Sequence, residues 1–249
     1  MGTSSSRSAP AGGNWTPAKR SVSRYVNQRG TGSVTPGGLI GTYVRALGGA
    51  REAVRGTGRI GGKTTFSHAT SVGQKLGAFL AGVATDGLDQ TLSDWGLADL
   101  IGKSPYEVVS GLVDALAGPG GPLDEAVARA ALTETIADIL DENNTEYEQL
   151  REEWDGRIDE AEIPEILEIF LVEAIYQQYL SNLAERIESN AISADEAFER
   201  ESEIRGFIEE MVRFEFVIHN PLNIVDWFGA ECRELIQRNL EAALAQAEG

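Results

Sequence analysis

Apolar residues recur every three or four positions along most of the chain, and this spacing constrains the fold more than any other feature of the sequence. It is the period of an amphipathic α-helix, whereas a half-buried β-strand would alternate apolar and polar residues. No segment longer than a few residues alternates in that way. We therefore predict an all-α fold, a helical bundle. In residues 164–189 the buried stripe is expected to consist of Ile166, Phe170, Val172, Ile175, Tyr179 and Leu183.

The same period, combined with capping and helix-breaking residues, predicts where the helices begin and end. Thr16 followed by Pro17 predicts the first helix start, because Thr caps helices and proline is tolerated at the first helical position. Ser193 with Glu196 is a capping-box pattern near the start of a later helix. Helices are predicted over residues 17–28, 39–55, 67–84, 97–101, 105–116, 123–140, 164–189, 193–218 and 222–247.

Three regions differ in composition and are predicted as separate parts of the molecule. Residues 1–16 are rich in Gly, Ser, Pro and Ala and lack periodicity, which predicts a flexible tail. Residues 17–66 form a basic region of helices and glycine-rich loops, and residues 67–249 form a mainly acidic α-helical domain. In the helix predicted over residues 67–84, Gly73, Gly77 and Gly82 indicate close helix packing, because glycine lets another element approach the backbone.

Charge is distributed unevenly between these regions. Residues 1–75 contain eleven Lys and Arg and one acid, Glu52, whereas the whole chain has a net charge of −18. The acidic remainder repels nucleic acid, but the basic region has the charge to contact nucleic acid, an acidic partner or the protein's own acidic helices. The residues considered for such a contact are Lys19, Arg20, Arg24, Arg55 and Arg59.

Membrane and secretion signals are not found in the sequence. No stretch approaches the roughly 20 apolar residues of a membrane span, and the N-terminus has no apolar region of the signal-peptide type. Cys232 is the single cysteine, which excludes an internal disulfide and suits a reducing compartment. We therefore expect no membrane span and a cytoplasmic location.

Two segments resemble catalytic or metal-binding motifs but depart from them at key positions. GTGRIGGKTT ends in Gly62, Lys63 and Thr64 like a phosphate-binding loop, but Thr57 replaces the first glycine and the preceding segment is helical. Residues 151–162 resemble a calcium loop, but Arg151 occupies the first ligand position, so a solvated acidic turn is expected. We predict no metal site and no catalytic residue, and we do not expect an enzyme.

The start MGTSSSR has the chemistry of an acyl acceptor. Removal of the initiator Met would leave Gly2 with the least hindered α-amine of any residue. An α-amine has a pKa of about 7.7–8.0 against about 10.4 for Lys, so it is about 300-fold richer in the neutral nucleophile near pH 7. An extended tail of about a dozen small residues reaches roughly 40 Å. Met-Gly-x-x-x-Ser, with Ser6 in the Ser/Thr position, equally fits N-myristoylation, which would make the tail a weak membrane anchor.

Several segments resemble the QatB component of the bacterial Qat anti-phage defence system. They are MGTSSSR with the Gly/Pro-rich tail, AKRSVSRYVNQRGTG, GLIGTYVRALGGA, VGQKLGAFLAGV and LDEAVARAALTETIADIL. The resemblance covers most of the first 140 residues, and the acidic C-terminal helices agree with it in general character.

The resemblance implies a non-catalytic subunit that is itself a substrate. Qat systems combine a QatB-type protein with an ATPase (QatA-type), a QueC-like enzyme (QatC-type) and a TatD-like nuclease (QatD-type). The QueC-like enzyme resembles enzymes that adenylate the carboxylate of a 7-deazaguanine and pass it to an amine. The resemblance then implies a 7-deazaguanine joined to Gly2 and no other cofactor. Thr3, Ser4, Ser5 and Ser6 would be the recognised tail, and the helical body would dock the modifying enzyme or the ATPase.

Overall fold

The computed structural model describes residues 10, 12–27, 34–56, 64–121, 123–140, 144–219 and 226–248. These residues form eleven α-helices and one short 3-10 helix, Ala98–Leu100, and contain no strand. The all-α prediction is therefore confirmed. The α-helices are α1 Trp15–Asn27, α2 Pro36–Ala46, α3 Ala50–Val54, α4 Ser67–Asp86, α5 Leu88–Asp94, α6 Pro105–Ala117, α7 Leu123–Ile139, α8 Tyr147–Arg157, α9 Glu162–Asn190, α10 Ala194–His219 and α11 Ala230–Glu248.

The chain divides into two compact units that are interleaved in sequence. Unit 1 comprises the described parts of residues 1–65, 175–215 and 239–249, and unit 2 comprises those of residues 66–174 and 216–238. Helices α9, α10 and α11 each contribute residues to both units. The predicted division into residues 1–16, 17–66 and 67–249 remains a prediction.

Each unit has an apolar core of large side chains. In unit 1, Leu39, Ile40, Tyr43 and Tyr179 are fully buried. The largest fully buried side chains of unit 2 are Phe66, Leu76, Phe79, Leu80, Leu88, Leu92, Leu112 and Phe170. Across the described residues, no helix combines the length and the apolarity needed to cross a membrane.

The helix predicted over residues 39–55 is wrong as a single element. Helix α2 ends at Ala46, and α3 begins at Ala50. Gly48 and Gly49 lie between them, each with φ of +99°, a conformation that L side chains rarely adopt and that a right-handed helix excludes. The N–H of Gly49 donates to the carbonyl oxygen of Val44 at 3.0 Å and closes the end of α2.

The predicted acidic turn at residues 151–162 is also wrong over its first half. Residues 147–157 form α8, so the segment that resembled a calcium loop begins inside a helix. Tyr147, Leu150 and Trp154 are buried, and their spacing of three and four residues places them on one helical face. Sequence analysis missed this helix and α5, and it placed the start of the last helix at residue 222 although α11 begins at Ala230.

The close packing predicted at the glycines of α4 is confirmed. A Cβ at Gly73 would lie 3.0 Å from Cε1 of Phe170, and a Cβ at Gly77 would lie 3.1 Å from Sγ of Cys232. At Gly82 it would lie 2.9 Å from Cγ2 of Thr91. These separations are shorter than ordinary van der Waals contacts, so side chains of unit 2 occupy the space that a larger residue would need.

Candidate functional site

Helix α1, which begins at Trp15, is the first element of the site. The N–H groups of Trp15 and Thr16 donate to the carbonyl oxygens of Gly12 and Gly13 at 3.2 and 3.3 Å, and the helix begins at Trp15. The predicted cap at Thr16 is therefore wrong, and Pro17 lies in the first turn rather than at its first position. A proline is tolerated there because the first N–H groups of a helix have no intrahelical partner.

One face of α1 is buried against α2. Ala18, Val22, Tyr25 and Val26 are almost fully buried, and α1 packs on α2 within unit 1. The spacing of four, three and one residues places them on a single stripe. This is the amphipathic pattern expected of the helix predicted over residues 17–28.

Aromatic stacking fixes the N-terminal end of α1. The ring of Trp15 lies edge-on to that of Tyr43, with centroids 5.9 Å apart and an interplanar angle of 63°. Tyr43 is fully buried, and its hydroxyl donates to the carbonyl oxygen of Gln178 at 3.1 Å. The side-chain amide of Asn182 donates to the Tyr43 hydroxyl at 3.3 Å. The residue next to the tail is thus held by a buried, hydrogen-bonded ring.

A charged cluster fixes the other end of α1. The hydroxyl of Tyr25 donates to the carboxylate of Glu203, and the guanidinium of Arg200 lies 5.4 Å from the centroid of the Tyr25 ring. Arg200 also donates to Glu203 at 3.0 Å. The side-chain amide of Asn27 donates to Oδ1 of Asn190 at 3.3 Å. These contacts join the end of α1 to α9 and α10 within unit 1.

The charged cluster changes the proton affinity of its members. Burial raises the pKa of the Tyr25 phenol above its ordinary value of 10, and the hydrogen bond to the Glu203 carboxylate raises it further. Partial burial works to raise the pKa of Glu203, but the donors Tyr25 and Arg200 outweigh it and hold that pKa below the ordinary 4.5. Near neutral pH the cluster therefore contains a neutral phenol, a carboxylate and a guanidinium.

The opposite face of α1 is exposed and basic. Thr16, Pro17, Arg20, Arg24 and Asn27 are exposed, and their spacing follows one side of the helix. We call these five residues the basic face of α1. The helix contains no Asp or Glu.

The five basic residues named from the sequence have different surroundings. Arg20 and Arg24 lie on the basic face, whereas Lys19 is half-buried. The Nε atom of Arg55 lies 2.5 Å from Oε2 of Glu241, in an ion pair within unit 1. Arg59 lies outside the described residues. The structure therefore brings only Arg20 and Arg24 together on one described exposed face.

The predicted modification site and recognition segment, Gly2 and residues 3–6, lie outside the described residues. Residues 57–63 of the segment that resembled a phosphate-binding loop also lie outside the described residues. Helix α3 precedes this segment. Sequence analysis missed the anchoring residues Arg200 and Glu203. Their spacing of three residues on a predicted helix indicated a local ion pair, but nothing in the sequence connected that pair to Tyr25.

Several large apolar side chains are exposed, which the sequence did not predict. Tyr106 on α6 is 82% exposed, and Val217 near the end of α10 is 75% exposed. Ile192 and Phe198, on either side of the start of α10, are 75% and 71% exposed. Single exposed apolar side chains are normal on a protein surface, and such groups indicate contact with other proteins where they form a contiguous patch.

The described residues define an all-α protein whose first helix has an exposed basic face. Within them, no group of three or more His, Cys, Asp or Glu is arranged to hold a metal ion. A family model described as "Qat anti-phage system associated protein QatB" matches residues 48–246. The chain belongs to the QatB family and is a component of an anti-phage defence system.

The family match covers a different part of the chain from the resemblance in sequence. It includes the acidic helices to residue 246, where the sequence showed only general agreement, and it begins after the tail, α1 and α2. Searches among curated proteins and among solved structures found no match to the chain.

Proposed function

We propose that this protein is a non-catalytic subunit whose Gly2, freed by removal of Met1, is the acceptor for a 7-deazaguanine. A QueC-like partner would supply the donor as an adenylated carboxylate, formed with ATP. The Gly2 nitrogen attacks the carboxyl carbon and forms an amide bond, the C–O bond to AMP breaks with its electron pair, and the amine loses a proton. The modified protein then acts with the ATPase and the TatD-like nuclease in the bacterial cytoplasm.

The observation that carries the proposal is the anchoring of α1 directly after the tail. Trp15 packs on buried Tyr43, and Tyr25 bonds to Glu203, so both ends of α1 are held by unit 1. Gly12 and Gly13 ahead of it are exposed, and a Cβ at either would meet nothing within 4 Å. A tail that starts from a fixed, uncrowded point suits insertion into an enzyme, since little of the body has to be ordered on binding.

The helical body is proposed to dock the partner proteins. The exposed side chains of Tyr106, Ile192, Phe198 and Val217 support this, because burying them against a partner removes apolar surface from water. The family membership supports an assembly of this kind, since the family is named for its association with the Qat system.

The test is the intact mass of the protein purified after co-expression with its three partners. We expect the mass of the 7-deazaguanine acyl group on the N-terminal peptide, and no such mass when the QueC-like enzyme is omitted. Gly2→Trp should abolish both the added mass and defence while the circular dichroism spectrum stays unchanged, whereas Ser8→Ala should change neither. An unmodified N-terminus in an assembled, defending system would refute the proposal, and a lipid mass would favour the membrane-anchor alternative.

A further inference from the structure

We propose that the basic face of α1 is the surface by which the modifying enzyme docks, through an acidic patch of that enzyme. This inference rests on the proposed function for the identity of the partner. It assigns a role to Arg20 and Arg24, which the fold itself does not use.

The guanidiniums of Arg20 and Arg24 are not neutralised by acids of the described residues, although the protein is acidic. The chain has 39 acids against 21 basic residues, yet Arg20 and Arg24 form no ion pair within the described residues. Five other arginines of the described chain pair with acids, whereas Arg233 and Arg238 on α11 are exposed like Arg20 and Arg24 and form no ion pair there. The pairs are Arg55–Glu241, Arg129–Asp114, Arg157–Glu153, Arg200–Glu203 and Arg213–Glu209.

The two guanidiniums repel each other, although Arg24 lies in the last turn of α1, where the helix dipole favours a cation. Arg20 and Arg24 are four residues apart on one helix, where like charges destabilise the helix by a few tenths of a kcal/mol. Helix α1 has no Asp or Glu that would offset this repulsion. An acidic surface placed against the basic face would relieve it and would gain charge-assisted hydrogen bonds, because a guanidinium fits a carboxylate with two parallel N–H donors.

The basic face is presented rigidly and near the N-terminus of the chain. Trp15 and Tyr25 hold α1 at both ends, so a partner does not have to order this helix. Residues 2–14 extend at most about 45 Å from the start of α1. An enzyme docked on the basic face with its reactive centre inside that distance meets Gly2 at a raised effective concentration.

The basic face of α1 fits an acidic protein surface better than it fits nucleic acid. Proteins that bind nucleic acid through phosphates use many basic contacts, and each one adds to the salt dependence of binding. The basic face offers two guanidiniums, and the long acidic helices of the same chain would repel a polyanion.

The test uses the full-length chain as acceptor for the purified QueC-like enzyme, with ATP and the 7-deazaguanine carboxylate. The variant is Arg20→Glu/Arg24→Glu, and the matched control is Arg233→Glu/Arg238→Glu, which reverses two exposed arginines on α11. We expect the α1 variant to raise KM for the chain about tenfold with kcat unchanged, and to weaken binding to the enzyme by a similar factor. The control should behave as the wild type, and higher salt should raise KM for the wild type more than for the α1 variant.

The other possible results distinguish the docking inference from the proposed function and from nucleic-acid binding. Equal KM and equal binding for the α1 variant and the wild type would overturn the docking inference while the proposed function stands. A wild-type chain that is never modified would contradict the proposed function, and the binding measurement would still decide the role of the basic face. Salt-dependent binding of a DNA or RNA duplex that the α1 variant alone loses, with enzyme binding unchanged, would assign the face to nucleic acid instead.

Discussion

Gly41 shows how a single residue sets the distance between two helices of unit 1. A Cβ at this position would clash with the carbonyl oxygen of Ala247 on α11, so α2 and α11 touch backbone to backbone there. Backbone cannot rotate away as a flexible side chain can. A larger residue therefore has to push the two helices apart.

We expect Gly41→Ala to lower the free energy of unfolding by about 1–3 kcal/mol, because overpacking forces a backbone shift. The matched control is Gly206→Ala on α10, where a Cβ would meet nothing within 4 Å. That control should stabilise the protein by about 0.5–1 kcal/mol, since Ala is the better helix former. Urea unfolding of both variants measures the difference, and a Gly41→Ala protein as stable as the wild type would show that α2 and α11 are not in contact.

At the scale of single elements, local sequence determines where helix α6 begins and ends. The sequence predicts Pro105 at the first helical position and Gly118 just past the end, and both are confirmed. The hydroxyl oxygen of Ser104 accepts from the N–H of Glu107 at 3.4 Å, and the Glu107 carboxylate accepts from the N–H of Ser104 at 3.1 Å. The Ser104 hydroxyl also donates to this carboxylate at 2.7 Å, and this bond, together with the one from the Ser104 N–H, lowers the pKa of Glu107.

We expect Ser104→Ala to reduce the free energy of unfolding by about 1 kcal/mol, because it removes the side chain that caps α6. Ser110→Ala in the interior of the same helix is the control. It should leave stability equal or slightly higher, since Ala has the higher helix propensity. Chemical denaturation monitored by circular dichroism distinguishes the two, and an equal effect of both substitutions would exclude a role for the cap.

Helices with a strong apolar period were predictable, and helices dominated by charge were not. The stripe predicted in α9, from Ile166 to Leu183, is buried throughout. Helix α8 was missed because its three buried residues stand among four acids and two arginines in YEQLREEWDGR, so its apolar signal is weak. The apolar period of the helix predicted over residues 39–55 is strong, but Gly48 and Gly49 have positive φ. The chain therefore forms two helices there instead of one.

The candidate site was predictable only in part, because its support comes from distant parts of the chain. The buried stripe of α1 follows from local spacing, and so does the exposure of Arg20 and Arg24. The contact of Tyr25 with Glu203 joins residues 178 positions apart, and no local pattern encodes it. Nor does the sequence show that Arg55 is paired with Glu241.

At the scale of the whole molecule, the family match and the proposed chemistry concern different segments. The match spans residues 48–246, whereas Gly2 and α1 precede it. The body identifies the protein as a defence component, and the segment before the match contains the groups proposed to react and to dock. The two parts are joined through unit 1, which holds α1 by contacts to α2, α9 and α10.

Buried phenols in both units determine how the whole molecule responds to alkali. Burial raises the pKa of Tyr25, Tyr43, Tyr147 and Tyr179 above the ordinary value of 10. For Tyr25 and Tyr147, hydrogen bonds to the carboxylates of Glu203 and Asp89 add to the effect of burial. The folded protein therefore retains phenolic protons at a pH where the unfolded chain has begun to release them.

We expect the free energy of unfolding to be insensitive to these groups below about pH 10 and to fall as the pH rises above it. The sign follows because the unfolded state binds fewer protons there, and each such phenol contributes a slope of up to about 1.4 kcal/mol per pH unit. Urea unfolding between about pH 9 and pH 11 measures the slope, and Tyr25→Phe/Tyr147→Phe should reduce it because two of the groups are gone. In a Tyr106→Phe/Tyr176→Phe background, which leaves the four buried phenols of the six tyrosines, tyrosinate absorbance that appears near pH 10 in the folded protein with no loss of stability would contradict the burial of these rings. If the absorbance appears only together with unfolding, the same titration reports the packing of Tyr43, and with it the ring that holds Trp15 at the base of the tail.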